Sequence, residues 1–133
     1  MTIHHIGYLV DSIENAASEF EKLGFLRMGE VVQDSLRDVY ILLLSNAGQI
    51  VELVQPICDS SPVYTLRKRY RNSPYHICYE TENIQGRIEK MVKIGGGYTL
   101  IQPAQPAPAI PGCPKVAFLV NRHIGIVELM EER

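Results

Sequence analysis

Two histidines and two glutamates occupy repeated positions in this chain, and their side chains have the chemistry of a metal site. His5 and His76 stand 71 residues apart in the similar segments IHHIGYLVDSI and PYHICYETENI. Glu52 and Glu128 stand 76 residues apart in identical IVEL segments. Two matches in the same order at nearly one offset indicate an internal repeat. Two imidazole nitrogens and two carboxylate oxygens suit a divalent transition metal such as Ni, Co, Mn, Fe or Zn, and they leave two positions of an octahedral shell open.

Strand alternation predicts where these side chains point. Successive side chains of a strand lie on opposite faces of the sheet, so each histidine and glutamate lies opposite its apolar neighbours. We expect the apolar face that includes Ile6 and Ile77 to pack under helices, and the four polar side chains to face a concave interior. A charge within an apolar strand is costly to bury unless it is paired or binds a metal. The pattern therefore favours one shared metal site.

Each half of the chain is predicted to form a strand, a helix and three further strands. In the first half these are strands 2–10, 25–33, 37–45 and 49–55, with a helix that Asp11-Ser12 opens and Gly24 ends. In the second half they are strands 75–81, 98–102, 115–121 and 124–131, with a helix capped by Asn83 that turns Ile84, Ile88, Met91 and Ile94 inward. The sequence thus predicts an α+β fold of two βαβββ modules that form a curved mixed sheet around a concave metal site.

The 133 residues are predicted to form a single domain, 1–133. A chain of this length suits one domain or two small modules that share a core. Module 1 covers about 1–60, a linking helix covers about 62–71, and module 2 covers about 74–133. The proline-rich stretch 103–114 supplies the additional residues of the second module.

Composition argues against several classes of protein. The formal net charge of −2 argues against a nucleic-acid binder, which usually carries a net positive charge. The longest apolar runs, such as 116–120, are too short to span a membrane. The amino terminus has no basic flank and no apolar signal core, so we expect no export. Cys58, Cys78 and Cys113 form no CxxC pair and are expected to be free thiols in a reducing cytoplasm.

Several segments resemble the vicinal oxygen chelate superfamily, which contains glyoxalases, bleomycin-resistance proteins and dioxygenases. The resemblance covers essentially the whole chain and is greatest to the methylmalonyl-CoA epimerase family. The matching segments are 4–16 (HHIGYLVDSIENA), 52–56 (ELVQP), 75–81 (YHICYET), 115–119 (KVAFL) and 125–129 (GIVEL). The chain departs from the family at 71–74, where a glycine-rich approach is usual, and at Val120-Asn121, where His-Pro is usual.

This resemblance implies a site and a reaction. His5, Glu52, His76 and Glu128 occupy the family's metal-ligand positions. The implied reaction removes the proton next to a thioester carbonyl, with Glu128 as the first candidate base and Glu52 as the second. The implied cofactor is one divalent metal ion (Ni, Co, Zn or Mn). The implied partners are a small-molecule substrate, either an acyl-CoA or a thiol adduct, and a second copy of the chain in a homodimer.

Three further residues are candidates for substrate binding. Arg69 lies in the run 67–71, which has four cations in five residues and could hold the phosphates of coenzyme A; a solvated helix face is the alternative interpretation. Lys115, at the start of a strand, is a second phosphate candidate. Asp38 is a candidate carboxylate, although its position before a strand is more typical of a turn residue.

Two other functions stay open beside the epimerase. A glyoxalase I-type lactoylglutathione lyase uses the same four ligands and acts on a thiol–methylglyoxal hemithioacetal. A metal-free small-molecule binding protein of the drug-resistance type shares the fold and does not require four ligands. Pro56 and the long connection 53–75 favour the epimerase.

Overall fold

The computed structural model describes residues 1–132, which form nine strands and three helices in two compact units. The amino-terminal unit spans His5–Tyr75. The carboxy-terminal unit combines Met1–His4 with the chain from His76 onward. Within the described range, every helix is too short or too polar to cross a membrane.

The two units are built from helices and strands with the following bounds. In chain order they are β1 Thr2–Leu9, α1 Ile13–Lys22, β2 Leu26–Arg27, β3 Val32–Asp34, β4 Val39–Asn46, β5 Gln49–Pro56, α2 Arg67–Tyr70, β6 Ser73–Thr81, α3 Ile84–Val92, β7 Tyr98–Pro106, β8 Lys115–Asn121 and β9 Gly125–Glu131.

In the amino-terminal unit, one face of the sheet packs against α1. The strand order is β2-β4-β5-β1, with β3 also paired to β4; β4 and β5 are antiparallel, whereas β1 and β5 are parallel. The helix begins after Ser12, whose side chain accepts a hydrogen bond from the backbone N–H of Asn15. Helix and sheet together form an apolar cluster of Val10, Ile13, Ala17, Leu42, Leu44, Val51 and Leu53.

The carboxy-terminal unit repeats this plan around α3. Its strand order is β6-β9-β8-β7, in which β6 and β9 are parallel and the other pairs are antiparallel. Asn83 caps α3 by accepting a hydrogen bond from the Gly86 backbone N–H. A Cβ at position 86 would lie 2.7 Å from the Asn83 Nδ2, so glycine permits this cap. The helix side of the sheet carries the buried cluster Ile84, Ile88, Ala117, Leu119, Val127 and Leu129.

The opposite face of this second sheet is covered by the segment that follows β7. The Ala107 N–H donates to the Pro114 carbonyl at 2.9 Å and closes a turn over 107–114. Ala107 and Ile110 of this turn belong to a second buried cluster with Cys78, Val116 and Met130. The part of the proline-rich stretch that follows β7 therefore packs over the helix-free face of the unit.

The predicted α+β class and the mixed strand pairing are confirmed, but three predicted elements are wrong in extent. The strand predicted at 98–102 continues to Pro106 as β7. The predicted strand 25–33 is two short strands, β2 and β3, because Gly29 between them adopts a φ of 155° that interrupts the pairing. The predicted linking helix 62–71 is reduced to α2. Residues before α2 form successive turns, as in the 2.9 Å hydrogen bond from the Tyr64 N–H to the Ser61 carbonyl.

Two isoleucines that were predicted to face the helices are exposed. Ile94 lies beyond the end of α3 and is fully accessible to solvent. Ile6 is 36% exposed, although Tyr8 on the same face of β1 packs against the α1 cluster and Val10, just after the strand, belongs to it. Strand alternation thus predicts the correct face of β1, but α1 does not cover that face along the whole strand.

Candidate metal centre

The first histidine–glutamate pair lies within the amino-terminal unit. His5 on β1 is 1% exposed and Glu52 on β5 is 4% exposed. The parallel pairing of these strands places Gly7 beside Glu52, so that His5 lies two residues earlier on the same face. His5 Nε2 is 3.6 Å from Glu52 Oε2.

The second pair has the same construction in the carboxy-terminal unit. The parallel pairing of β6 and β9 places Cys78 beside Glu128, and His76 again lies two residues earlier. His76 and Glu128 are 4% and 3% exposed, and His76 Nε2 is 3.1 Å from Glu128 Oε1. The internal repeat of the sequence therefore appears as two buried imidazole–carboxylate pairs of equal register.

The orientation of both glutamates agrees with strand alternation. Val51 and Leu53, on either side of Glu52, belong to the α1 cluster, so the carboxylate lies on the other face of β5. The same holds for Glu128, whose neighbours Val127 and Leu129 pack against α3. Burial of a carboxylate among apolar residues is costly without a polar partner or a metal ion.

The donor atoms of the two pairs are those that divalent transition metals bind. His5, Glu52, His76 and Glu128 are all buried, and each offers one imidazole nitrogen or carboxylate oxygen as a ligand atom. Nitrogen and oxygen donors of this kind suit Zn, Co, Ni or Mn. The residues present therefore fit the metal ion that the resemblance implies.

The two pairs differ in the side chains that flank the glutamates. Glu52 lies between Gly7 on β1 and Leu43 on β4. Glu128 lies between Cys78 and Phe118, and the Phe118 ring stands edge-on to His76 with ring centroids 5.4 Å apart. The carboxylate of the second pair thus has larger neighbours than that of the first.

The other three predicted site residues are exposed. Asp38 lies in a turn with a positive φ of 53°, and its carbonyl accepts a hydrogen bond from the Ile57 N–H. This geometry favours the turn interpretation. Arg69 on α2 places its guanidinium 5.5 Å from the centroid of the Tyr70 ring. Lys115 is the first residue of β8.

Asp11 has a role that the sequence reasoning missed. Its carboxylate accepts hydrogen bonds from Arg67 Nε at 2.6 Å and Arg71 Nε at 2.5 Å, and Asn72 adds a third. Partial burial alone raises the pKa of Asp11, but the hydrogen bonds from Arg71, Arg67 and Asn72 outweigh it and hold that pKa below its usual value. Two of the four cations in the run 67–71 therefore bind this carboxylate.

A second acidic residue missed by the sequence reasoning is Asp34. It is 1% exposed and forms a 2.7 Å ion pair with the buried Arg37 while also accepting the backbone N–H groups of Leu36 and Arg37. In the sequence, the spacing Asp-x-x-Arg shortly before a predicted strand is the signal that could have indicated this ion pair. Asp34, the last residue of β3, thus stabilises the turn between β3 and β4.

A cavity of about 390 Å³ lies elsewhere in the carboxy-terminal unit. It is bordered by the end of β6 and the first turns of α3, including Thr81, Asn83, Arg87 and Lys90. None of the seven predicted site residues lines it. It is therefore separate from the two histidine–glutamate pairs.

The fold agrees with that of a known superfamily, whose sequence model matches most of the chain. Residues 4–118 match the Glyoxalase/Bleomycin resistance protein/Dioxygenase superfamily. The chain belongs to this superfamily.

Within the superfamily, epimerases are among the similar proteins. The ethylmalonyl-CoA/methylmalonyl-CoA epimerase of Cereibacter sphaeroides is 23% identical over 94 residues, which is 70% of each chain. The structure of methylmalonyl-CoA epimerase from Mycobacterium tuberculosis has a TM-score of 0.82 at 14% identity, covering 99% of this chain and 88% of that one. A Streptomyces coelicolor methylmalonyl-CoA epimerase in complex with 2-nitronate-propionyl-CoA has a TM-score of 0.79 at 17% identity, covering 99% and 94%. At this identity the structural likeness establishes the fold.

Proposed function

We propose that this protein is a metal-dependent epimerase that removes and returns the proton α to the thioester carbonyl of an acyl-CoA, as methylmalonyl-CoA epimerase does. The observation that carries the proposal is the repeated buried histidine–glutamate pair. Membership of the superfamily and the epimerase names of similar proteins support it.

The proposed cofactor is one divalent metal ion, Ni, Co, Zn or Mn, held by His5, Glu52, His76 and Glu128. This assignment requires the two units to form a single vicinal oxygen chelate domain with one concave site. The equal register of the two pairs and the chemistry of their donor atoms support it. When bound, the metal ion acts as a Lewis acid that stabilises the negative charge developing on the carbonyl oxygen.

The proposed bases are the two glutamates. Epimerisation removes a proton from one face of the α-carbon and returns one to the other face, so it needs a proton acceptor and a proton donor. Glu128 is the first candidate base and Glu52, its repeat equivalent, is the second. Glu52 and Glu128 are 4% and 3% exposed, which limits the access of water to the reacting carbon.

The proposed contacts of the coenzyme A phosphates are Arg69 and Lys115, with Asp38 as a weaker candidate for a substrate contact. Asp11 binds Arg67 and Arg71, so Arg69 and Lys68 are the cations of the run that this carboxylate does not engage. The resemblance further implies a homodimer in the cytoplasm.

The test is exchange of the α-proton of methylmalonyl-CoA with deuterated solvent. We expect the metal-loaded protein to catalyse exchange and Glu128→Gln to reduce its rate at least ~100-fold, the usual contribution of a general base. Glutamine still offers an oxygen, so metal content should fall less than the rate. Glu131→Gln, on the same strand, is the matched control and should exchange at the normal rate.

The same samples separate the alternative functions. Turnover of the methylglyoxal–glutathione hemithioacetal without exchange of methylmalonyl-CoA would assign the chain to the glyoxalase I-type lyases. Absence of both activities in a metal-loaded sample would refute the epimerase and the lyase assignments and leave only the membership of the superfamily.

A further inference from the structure

Phe118 is the largest side chain beside either glutamate. On β8 it pairs directly with Glu128 of the antiparallel strand β9, so the two side chains are neighbours on one face. Its ring meets the His76 ring at an interplanar angle of 87°. Leu43 has the corresponding position beside Glu52. The repeat therefore conserves the polar residues of the two pairs but not their surroundings.

The Phe118 ring is supported from behind by a closed apolar cluster. Cys78, Val116 and Met130 are each at most 5% exposed, and Phe118 packs against them together with Ala107 and Ile110. The turn that carries Ala107 and Ile110 is held by hydrogen bonds within 107–114, including the one from the Cys113 N–H to the Ile110 carbonyl at 2.9 Å. Because packed protein interiors are nearly incompressible, the ring cannot move into this cluster and away from His76.

Phe118 is also the accessible member of this cluster. The five residues behind it are buried, whereas Phe118 keeps part of its surface exposed. A group that approaches the His76–Glu128 pair on this side therefore meets an aromatic ring that packs against a buried cluster. The Cys78 thiol is the one polar group in the cluster, and a thiol is a weak hydrogen-bond donor.

From these contacts we infer that Phe118 is a specificity-determining residue that contacts the substituent on the reacting α-carbon and limits it to a small apolar group. This inference rests on the proposed function, since it concerns the acyl group that reacts beside Glu128. The preferred substrates are acyl-CoA thioesters with a methyl group on the α-carbon. One additional methylene in an apolar subsite commonly changes kcat/KM by about 10–200-fold.

Truncation of the ring tests the size limit. For the wild type we expect α-proton exchange to become slower from methylmalonyl-CoA to ethylmalonyl-CoA and propylmalonyl-CoA. Phe118→Leu and Phe118→Ala should raise the kcat/KM ratio of propylmalonyl-CoA to methylmalonyl-CoA at least ~10-fold, with unchanged metal content. Phe25→Leu, in the amino-terminal unit, is the control and should leave the ratio unchanged. An equal change for all three substrates would refute the inference.

A binding measurement tests the contact without relying on turnover. The chain has three phenylalanines, so fluorophenylalanine labelling yields three ¹⁹F signals, which the variants assign. Phe20 and Phe25 contact each other in the amino-terminal unit at 5.2 Å. Addition of 2-nitronate-propionyl-CoA should shift the Phe118 signal and leave the other two nearly unchanged.

The two measurements keep the inference and the proposed function apart. Exchange activity with an unaffected Phe118 signal and an unaffected substrate ratio would refute the role of Phe118 alone. Binding that shifts the Phe118 signal, without exchange of any substrate, would support the contact and refute the epimerase. Failure of all the acyl-CoA compounds to bind would overturn both.

Discussion

Replacing His76 with alanine removes one imidazole from the proposed metal site and leaves the rest of the carboxy-terminal unit in place. The side chain is 4% exposed and contacts Glu128 and Phe118, both on the face of the sheet opposite α3. The apolar cluster that binds the helix does not include His76. We therefore expect the variant to fold, with a free energy of unfolding lower by about 1–3 kcal/mol without metal, because Glu128 loses a buried polar partner.

The larger effect should appear on adding metal. A ligand that binds only the folded state at 100 times its Kd stabilises that state by about 2.7 kcal/mol. If loss of one of the four proposed ligands weakens metal binding 100-fold, the same metal concentration equals the Kd of the variant. The stabilisation of the variant by metal then falls to about 0.4 kcal/mol. The difference of about 2.3 kcal/mol is large compared with the error of an unfolding experiment.

Urea unfolding of both proteins, with excess Zn, Co, Ni or Mn and with a chelator, measures this difference. His123→Ala is the matched control, since His123 is exposed in the turn between β8 and β9, and it should retain the full metal effect. Equal stabilisation of the wild type and His76→Ala by every metal would refute the assignment of His76 as a ligand. Loss of cooperative unfolding in the variant would show instead that His76 is needed for the fold.

Two predictions concern the scaffold. Leu119→Ala removes a side chain that is 0% exposed in the α3 cluster and should lower the free energy of unfolding by about 2–5 kcal/mol, measured by urea unfolding; a loss below about 1 kcal/mol would contradict the assigned packing. Asp11→Asn should cost about 1 kcal/mol near neutral pH, since Arg67 and Arg71 are partly exposed. Because the pKa of Asp11 is lowered in the folded state, its contribution to stability is present above the ordinary carboxyl pKa and is lost as the pH falls through the folded-state pKa. A difference in stability between the variant and the wild type that does not shrink as the solution is acidified would refute this.

Strand alternation and the internal repeat predict the faces on which the candidate site residues lie. The identical IVEL segments place Glu52 and Glu128 opposite apolar neighbours, and those neighbours do pack under α1 and α3. The histidine segments repeat in the same way. These predictions succeed because the direction of a side chain in a strand depends on local backbone geometry, which has a period of two residues. The caps Ser12 and Asn83 are predictable for the same local reason.

The extent of the elements was less predictable because it depends on burial. Pro62 suits the first turn of a helix over 62–71, yet only Arg67–Tyr70 is helical. Ile94 has helical spacing but follows the end of α3, where no sheet residue covers it. A short helix is marginal by itself, so its ends are set by the contacts that it finds in the folded chain.

Only the tertiary structure decided which residues became neighbours across long distances in the chain. The parallel register of β6 and β9 brings His76 to 3.1 Å from Glu128, and the antiparallel register of β8 places Phe118 beside the same carboxylate. In the amino-terminal unit, Asp11 binds two arginines that the sequence suggested for phosphate binding. Local composition determines what each side chain can do chemically. Which partner it meets depends on strand pairing, because pairing brings together residues that no local pattern relates.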